Sequence, residues 1–397
     1  MHIAMAGPVL TKPLMQSLEN ATGLPEGMGG TPVCSLVRDL VDRGQRVSIV
    51  TLDRGVTRPF VTNGRLLDLN CGPYRPRHRM RDLMRAERFA VRDGVLRTRA
   101  DLVHAHWCGE YALGALASGM PTLVTVHDWM PTVLRMTLIR HSPHWFGRTL
   151  LYFTTLARAR CLTANSPYTA EKVRRFTKAA LEVVPNGVPD ADFLAPVGLA
   201  GAQSMRISGR QVAVSVNRGF GRLKNVVSLL KANRELRRRG VRHELHLIGD
   251  GYEPGGPCES WAGTAGLSDG VRFVGPLDHT EVMRRIASAT MLVHPSREES
   301  FGMTLIEAMS QGTPVIGGAR SGAVPWVLAG GRAGLLVDVR EPRAIAEAME
   351  AVLTHEALGR RLGHAGHAHA WSHFRQSRVT DLYLDAYRRL LAEVGRR

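Results

Sequence analysis

The chain has 397 residues, enough for two domains of nearly equal size, and its 44% hydrophobic content is ordinary for a protein with full cores. Its five cysteines are scattered and lack a Cys-x-x-Cys pair, which argues against a disulfide framework or a zinc site and for a reducing compartment. The net charge of +17 comes almost wholly from arginine; it directs the chain toward anionic partners and carries no information about fold.

Residues Met1 to Leu10 are apolar but lack a basic lead and a cleavage pattern. They read as a first buried strand, His2–Ala6, in preference to a signal peptide. No apolar run approaches the length of a membrane-spanning helix, and a cytoplasmic protein is expected. Gln16 to Gly27 reads as a loop free to move over a ligand. Met28-Gly29-Gly30-Thr31 then leads into a helix with Pro32 in its first turn, Val33, Leu36, Val37, Leu40 and Val41 at helical spacing, and Gly44 as its stop. Backbone donors at Gly29 and Gly30, with the helix N-terminus behind them, suit an anionic group.

After a strand at Val47–Leu52 comes the most basic stretch, with Arg75, Arg77, Arg79, Arg81, Arg85, Arg88, Arg92, Arg97 and Arg99. It carries no nucleic-acid-binding signature and few aromatics to stack bases, so nucleic acid is not expected as a partner. A solvated helix face and peripheral contact with an anionic membrane, at its inner face, remain as its two readings. Strand Leu102–His106 places His104 and His106 on one face. Strand Leu123–His127 ends in His127 and Asp128, and an imidazole there can orient a hydroxyl or help move its proton, since it titrates near neutrality. Strands at Cys161–Ala164 and Glu182–Pro185 complete the first half, and the Gly/Ala-rich stretch Phe193–Met205 reads as a linker.

The second half offers strands at Val212–Asn217, Glu244–Ile248, Val271–Val274, Met291–His294, Val315–Gly318 and Gly334–Val337. Six short apolar strands per half, alternating with helices, predict two parallel doubly wound sheets of the Rossmann-like α/β class. The loop Asn217-Arg218-Gly-Phe-Gly221-Arg-Leu-Lys224 sits at a strand's end, where glycines permit close approach and Arg218 and Lys224 supply cations for a diphosphate. Arg222 is a rival to Arg218 for that role. Gly249 closes the next strand. His364, His367, His369 and His373 do not share one helical face and read as polar surface; no metal site is expected. The last stretch, Trp371 to Arg397, has Leu382, Leu384, Tyr387, Leu390 and Leu391 at helical spacing.

The most specific run is Glu299-Ser-Phe-Gly-Met-Thr-Leu-Ile-Glu307, followed by Ala-Met-Ser-Gln-Gly-Thr-Pro-Val-Ile316. Glu299 falls on the loop after a strand, where ligands bind in open α/β sheets. Glu307 falls one turn into a helix that should begin near Phe301 or Gly302, with the free amides of Phe301, Gly302 and Met303 between the two carboxylates. Acceptors at two distances with donors between them suit a sugar joined to a ribose.

This run resembles the E-x7-E signature of the retaining glycosyltransferases of family 4, which have the GT-B fold of two Rossmann-like domains facing a cleft. The likeness implies that Glu299 contacts the donor sugar with the amides of Phe301 and Gly302, that Met303 belongs to the same donor site, and that Glu307 holds the nucleotide ribose. It implies that Arg218 and Lys224 neutralise the leaving diphosphate, and that Gly249, Gly29 and Gly30 line the donor site. His104, His106, His127 and Asp128 would serve the acceptor, with His127 close to the reacting groups. The domains implied are residues 1–197 for the acceptor, 206–370 for a UDP- or GDP-linked donor, and 371–397 as a helix crossing back to the first domain. No cofactor is implied beyond the nucleotide-sugar co-substrate. The expected activity is metal-independent transfer of a hexosyl or N-acetylhexosaminyl group in polysaccharide or glycolipid biosynthesis, onto a glycan or lipid-linked acceptor. Glycosylation of a small metabolite and sugar-nucleotide epimerisation are the alternatives.

Overall fold

The apolar run His2–Ala6 forms β1, buried from Ile3 onward, and it pairs in parallel on both sides, Ile3 with Val47 and with Leu102. It belongs to a computed structural model that describes residues 1–18, 22–137, 143–194 and 211–395. The chain divides into two units, Met1–Gly187 with Gln376–Arg397, and Val188–Arg375.

In the first unit β1 is joined by β2 (Arg46–Asp53), β3 (Phe60–Thr62), β4 (Leu67–Pro73), β5 (Leu102–His106), β6 (Thr122–Val126), β7 (Cys161–Ala164) and β8 (Ala180–Val183). The order is β3-β4-β2-β1-β5-β6-β7-β8, parallel except for the β3–β4 pair. Strands β3 and β4 are additions to the expected set. In β4 the apolar Leu67, Leu69 and Cys71 alternate with Asp68 and Asn70, and both polar residues are buried. Asp68 is tolerated because Ser48 donates to it at 2.8 Å and Arg46 at 3.2 Å. The edge strand β8 lies two residues earlier than expected.

The second unit holds β9 (Val212–Val216), β10 (Glu244–Ile248), β11 (Val271–Gly275), β12 (Met291–His294), β13 (Val315–Gly318) and β14 (Leu335–Val337). All its pairings are parallel, in the order β11-β10-β9-β12-β13-β14. From β9 the chain runs outward to β11, then returns to lay β12 on the other side of β9. The reversal leaves a crevice at the carboxyl ends of β9 and β12, and the equivalent one in the first unit lies between β1 and β5.

The first sheet is covered on one face by helices Arg85–Thr98, Glu110–Leu116 and Pro143–Arg158. Helices Thr31–Asp42 and Gln376–Val394 cover the other. Gly30 caps Thr31–Asp42 at φ 78°, and a Cβ there would fall 1.8 Å from the Pro8 carbonyl oxygen, so only glycine fits. The C-terminal span differs from the expected 371–397 element. Helix Glu356–Phe374 buries Phe374 in the second unit's core, extended Arg375 breaks it, and a new helix starts at Gln376. The other boundary falls at Gly187, because Phe193 also packs in the second unit's core. Of the expected linker, residues 195–205 lie outside the described residues. No helix among the described residues is long and apolar enough to cross a membrane.

Candidate active site

The second unit gathers its polar groups at the crevice between β9 and β12. Lys224 Nζ lies 2.5 Å from Glu299 Oε1, and the same oxygen accepts from His294 Nε2 at 3.1 Å. His294 is the last residue of β12, and its Nδ1 lies 3.3 Å from the Thr304 hydroxyl. Donation from Nε2 to Glu299 turns Nδ1 toward the Thr304 hydroxyl, so the ring links the helix to the loop. Burial would raise the Glu299 carboxyl, but Lys224 and His294 outweigh it and hold it far below the usual carboxylate range. Glu299 is therefore an ionised acceptor at any physiological pH.

The loops are held in place by backbone pairing. Asn225 adopts a left-handed conformation at φ 55° that asparagine tolerates. Its amide nitrogen donates to the carbonyls of Pro295 and Val339 at 3.1 and 2.7 Å, and its oxygen accepts from Arg297 Nε at 3.0 Å. This fixes Lys224 beside the β12 loop. The Glu299 carbonyl accepts from Ala323 N at 2.9 Å, and a Cβ on Gly322 would lie 2.2 Å from that same oxygen. Behind Glu299, Gly302 at φ 96° caps helix Met303–Ser310, whose first amides have no intrahelical acceptor and carry the positive end of its dipole. Phe301 contributes its backbone here, since its side chain is buried against Phe374.

Other expected donor residues lie apart from this pair. Glu307 is buried, and burial raises its carboxyl; His279 counters that and Asp192 adds to it. His279 Nε2 lies 3.7 Å from Asp192 Oδ2. Arg218 is 86% exposed and paired with Asp250 at 2.7 Å, so it is not drawn to Lys224 and Glu299. Arg222 is exposed as well. Gly249 is required as glycine, since a Cβ would lie 1.9 Å from the Asn217 carbonyl oxygen. His294, Asn225, Arg297, His279 and Asp192 were not singled out from sequence. The histidine before Pro295 was the visible signal for the first of them.

In the first unit two of the four expected acceptor residues are withdrawn from any ligand. His104 is fully buried and engaged at both nitrogens, by the Tyr387 hydroxyl at 2.6 Å and the Thr125 hydroxyl at 2.7 Å. It ties β5 to the final helix. His106 is 2% exposed, with Nε2 at 3.1 Å from Met5 Sδ and Nδ1 at 2.9 Å from His127 Nε2. A thioether only accepts, so His106 carries its proton on Nε2 and accepts from His127 through Nδ1. His127 is thereby left with a bare Nδ1, which has no partner among the described residues, and its ring stacks on Trp107 at 4.0 Å. Burial pushes His127 down to about 3, which corrects the expectation that it titrates near neutrality. With Nδ1 bare it is able to accept from a hydroxyl, and it takes no proton at ordinary pH.

The group that does titrate there is Asp128, pushed up to about 6 by burial against the opposing pull of Arg148. Because the folded group holds its proton to about pH 6, its ionisation opposes folding as pH rises from the ordinary carboxyl range to that value. Asp128→Asn should remove a limb near pH 6 from the profile of kcat/KM while leaving the Glu299 region intact. An unchanged limb would show that another group sets it. Near the Gly29–Gly30 turn, an open cavity of about 850 Å³ is lined by Glu26, Met28, Asp53, Arg54, Arg58 and Phe60. Gly27 N donates to Asp53 at 2.8 Å, which anchors the turn to the end of β2.

Comparison with known proteins bears on the family and the fold. Residues 29–192 match the model for Glycosyltransferase Family 4, and residues 202–369 match that for Glycosyl transferases group 1. A D-inositol 3-phosphate glycosyltransferase of Nocardioides sp. is 30% identical over 322 residues, 74% of this chain and 68% of that protein. Among solved structures, sucrose-phosphate synthase of Thermosynechococcus elongatus superposes with a TM-score of 0.77 at 22% identity, over 99% of this chain and 100% of that one. HepE of Anabaena, solved with UDP-glucose, gives 0.66 at 16% identity, over 98% and 99%. Two doubly wound parallel sheets, each with polar groups at its switch point, define a GT-B protein. The chain belongs to the group 1, family 4 glycosyltransferases.

Proposed function

We propose that the chain moves a hexosyl or N-acetylhexosaminyl group from a UDP- or GDP-linked donor to an acceptor hydroxyl, with retention at the anomeric carbon and without a metal. The observation that carries this reading is the Lys224–Glu299–His294 cluster beside a glycine-capped helix N-terminus. Oε1 of Glu299 is occupied by its two partners, which leaves Oε2 to accept from a donor-sugar hydroxyl. Lys224 and the helix amides place positive charge where the departing diphosphate develops its negative charge. The acceptor hydroxyl attacks from the leaving-group side and gives its proton to a phosphate oxygen. His127 Nδ1 orients that hydroxyl. Glu307, buried near His279 and Asp192, takes the ribose hydroxyls.

The acceptor reading leans toward a polyol or glycan hydroxyl. The Nocardioides relative is named for D-inositol 3-phosphate, and Arg54 and Arg58 line the first unit's open cavity. Release of free nucleotide from a donor sugar only when a polyol or glycan acceptor is present tests the reading. Isomerised nucleotide sugar without acceptor would replace it with epimerase chemistry. A sugar phosphate formed with inorganic phosphate would replace it with phosphorolysis.

A further inference from the structure

The outer side of one helix layer in the first unit combines exposed apolar side chains with unpaired cations. Helices Arg85–Thr98 and Pro143–Arg158 both pack against Glu110–Leu116 on the same face of the sheet. The first presents Arg85, Phe89, Arg92 and Leu96 at spacings of three and four residues, which is one helical face. Phe89 is 41% and Leu96 49% exposed, and the guanidiniums of Arg85 and Arg92 sit 5.2 and 4.7 Å from the Phe89 ring centre. The second presents Phe146 and Leu150, 59% and 54% exposed and one turn apart, and no acidic residue lies between positions 143 and 160. Phe176 is exposed too and abuts Phe153 of that helix at 5.1 Å. Every exposed phenylalanine among the described residues thus lies on or against these two helices.

The arginines divide into two groups. Arg75 is held by Glu87 and Asp82, and Arg92 by Asp93. Arg77, Arg81, Arg85, Arg97 and Arg158 are exposed and form no ion pair among the described residues. We propose that this face docks on an anionic lipid bilayer, with Phe89, Phe146 and Leu150 entering the acyl boundary and the free arginines at the phosphate level. Apolar tips set among long cationic side chains fit an interface that is greasy below and negative above. A nucleic-acid backbone would meet the charge but leave Leu96, Phe146 and Leu150 with nothing to bury against. None of these residues belongs to the site above, so the outcome is separable from the chemistry of transfer.

The test is flotation of the intact protein with vesicles of phosphatidylcholine containing phosphatidylglycerol, against phosphatidylcholine alone. Wild type should float with the anionic vesicles and leave them as salt rises. Phe89→Ser/Phe146→Ser/Leu150→Ser should lower the partition constant by on the order of tenfold or more. Arg77→Gln/Arg81→Gln/Arg85→Gln should lower it by roughly fivefold per arginine and flatten the salt dependence. Phe146→Trp/Leu150→Trp should strengthen binding, which guards against a serine variant that merely misfolds, because tryptophan favours the interface. The proposal is overturned if wild type ignores anionic vesicles at low salt, or if the serine and tryptophan variants bind as wild type does. It is also overturned if duplex DNA strips the protein from vesicles and binds it more tightly.

Discussion

Glu299→Ala should lower kcat by on the order of a thousandfold, the scale for removing a preorganised polar partner of the reacting group. Under the proposed mechanism the variant loses the acceptor for a donor-sugar hydroxyl, and it also loses the counter-charge that holds Lys224 at 2.5 Å. Both losses act on the reacting end of the donor, so nucleotide affinity should change much less than kcat. Glu307→Ala should do the reverse, raising KM for the donor with kcat nearly kept, because a ribose contact holds ground and transition state alike. Steady-state kinetics with nucleotide titration on both variants separates these outcomes. Wild-type kcat in Glu299→Ala would remove that residue from the site.

Lys224→Met should reduce kcat/KM by on the order of a hundredfold or more, as expected for losing a charge aimed at the leaving group. Lys224→Arg should recover little of it, since a planar fork does not occupy the place of a compact ammonium held between Glu299 and the Asn225 turn. The two exposed arginines of the same loop provide the comparison. Arg218 must leave Asp250 to reach a diphosphate, so Arg218→Ala should cost less than Lys224→Met. A crippled Arg222→Ala beside a healthy Arg218→Ala would transfer the arginine role to Arg222, and wild-type activity in Lys224→Met would end the electrostatic account.

Much of the second unit's polar crevice was legible because it is local. The Glu299–Glu307 spacing, the glycine cap at Gly302 and the cationic loop before Val226 all lie within a turn or two of a strand end, where short-range rules apply. What the sequence concealed depends on distant partners. Glu307 shares its surroundings with His279 and Asp192, from two other segments. His104 looked like a ligand-binding residue because alternation put it beside His106. Its partner Tyr387 lies 283 positions away, and no local pattern announces that bond. The break at Arg375 was hidden for the opposite reason: helical spacing continues on both sides of it, and one extended residue interrupts it. Strand β4 was missed because its polar positions point into the protein and are satisfied there.

The ring nitrogen of His104 and the Arg43–Asp381 pair bind the first part of this unit to residues that follow the second unit in the chain. Val188–Arg375 is an uninterrupted stretch with its own sheet, whereas the first unit must wait for Tyr383, Tyr387 and Leu390 to close its second helix layer. During synthesis the order of completion is therefore inverted relative to the order of emergence, since domains fold as units when their chain is available. Of the two units, the one that starts to emerge earlier is completed later, and until then one face of its sheet lacks helix Gln376–Val394. While the second unit is being translated, that face has helix Thr31–Asp42 but not its second helix, which makes this interval, rather than the mature fold, the period in which its apolar surface is most open to aggregation and to chaperones.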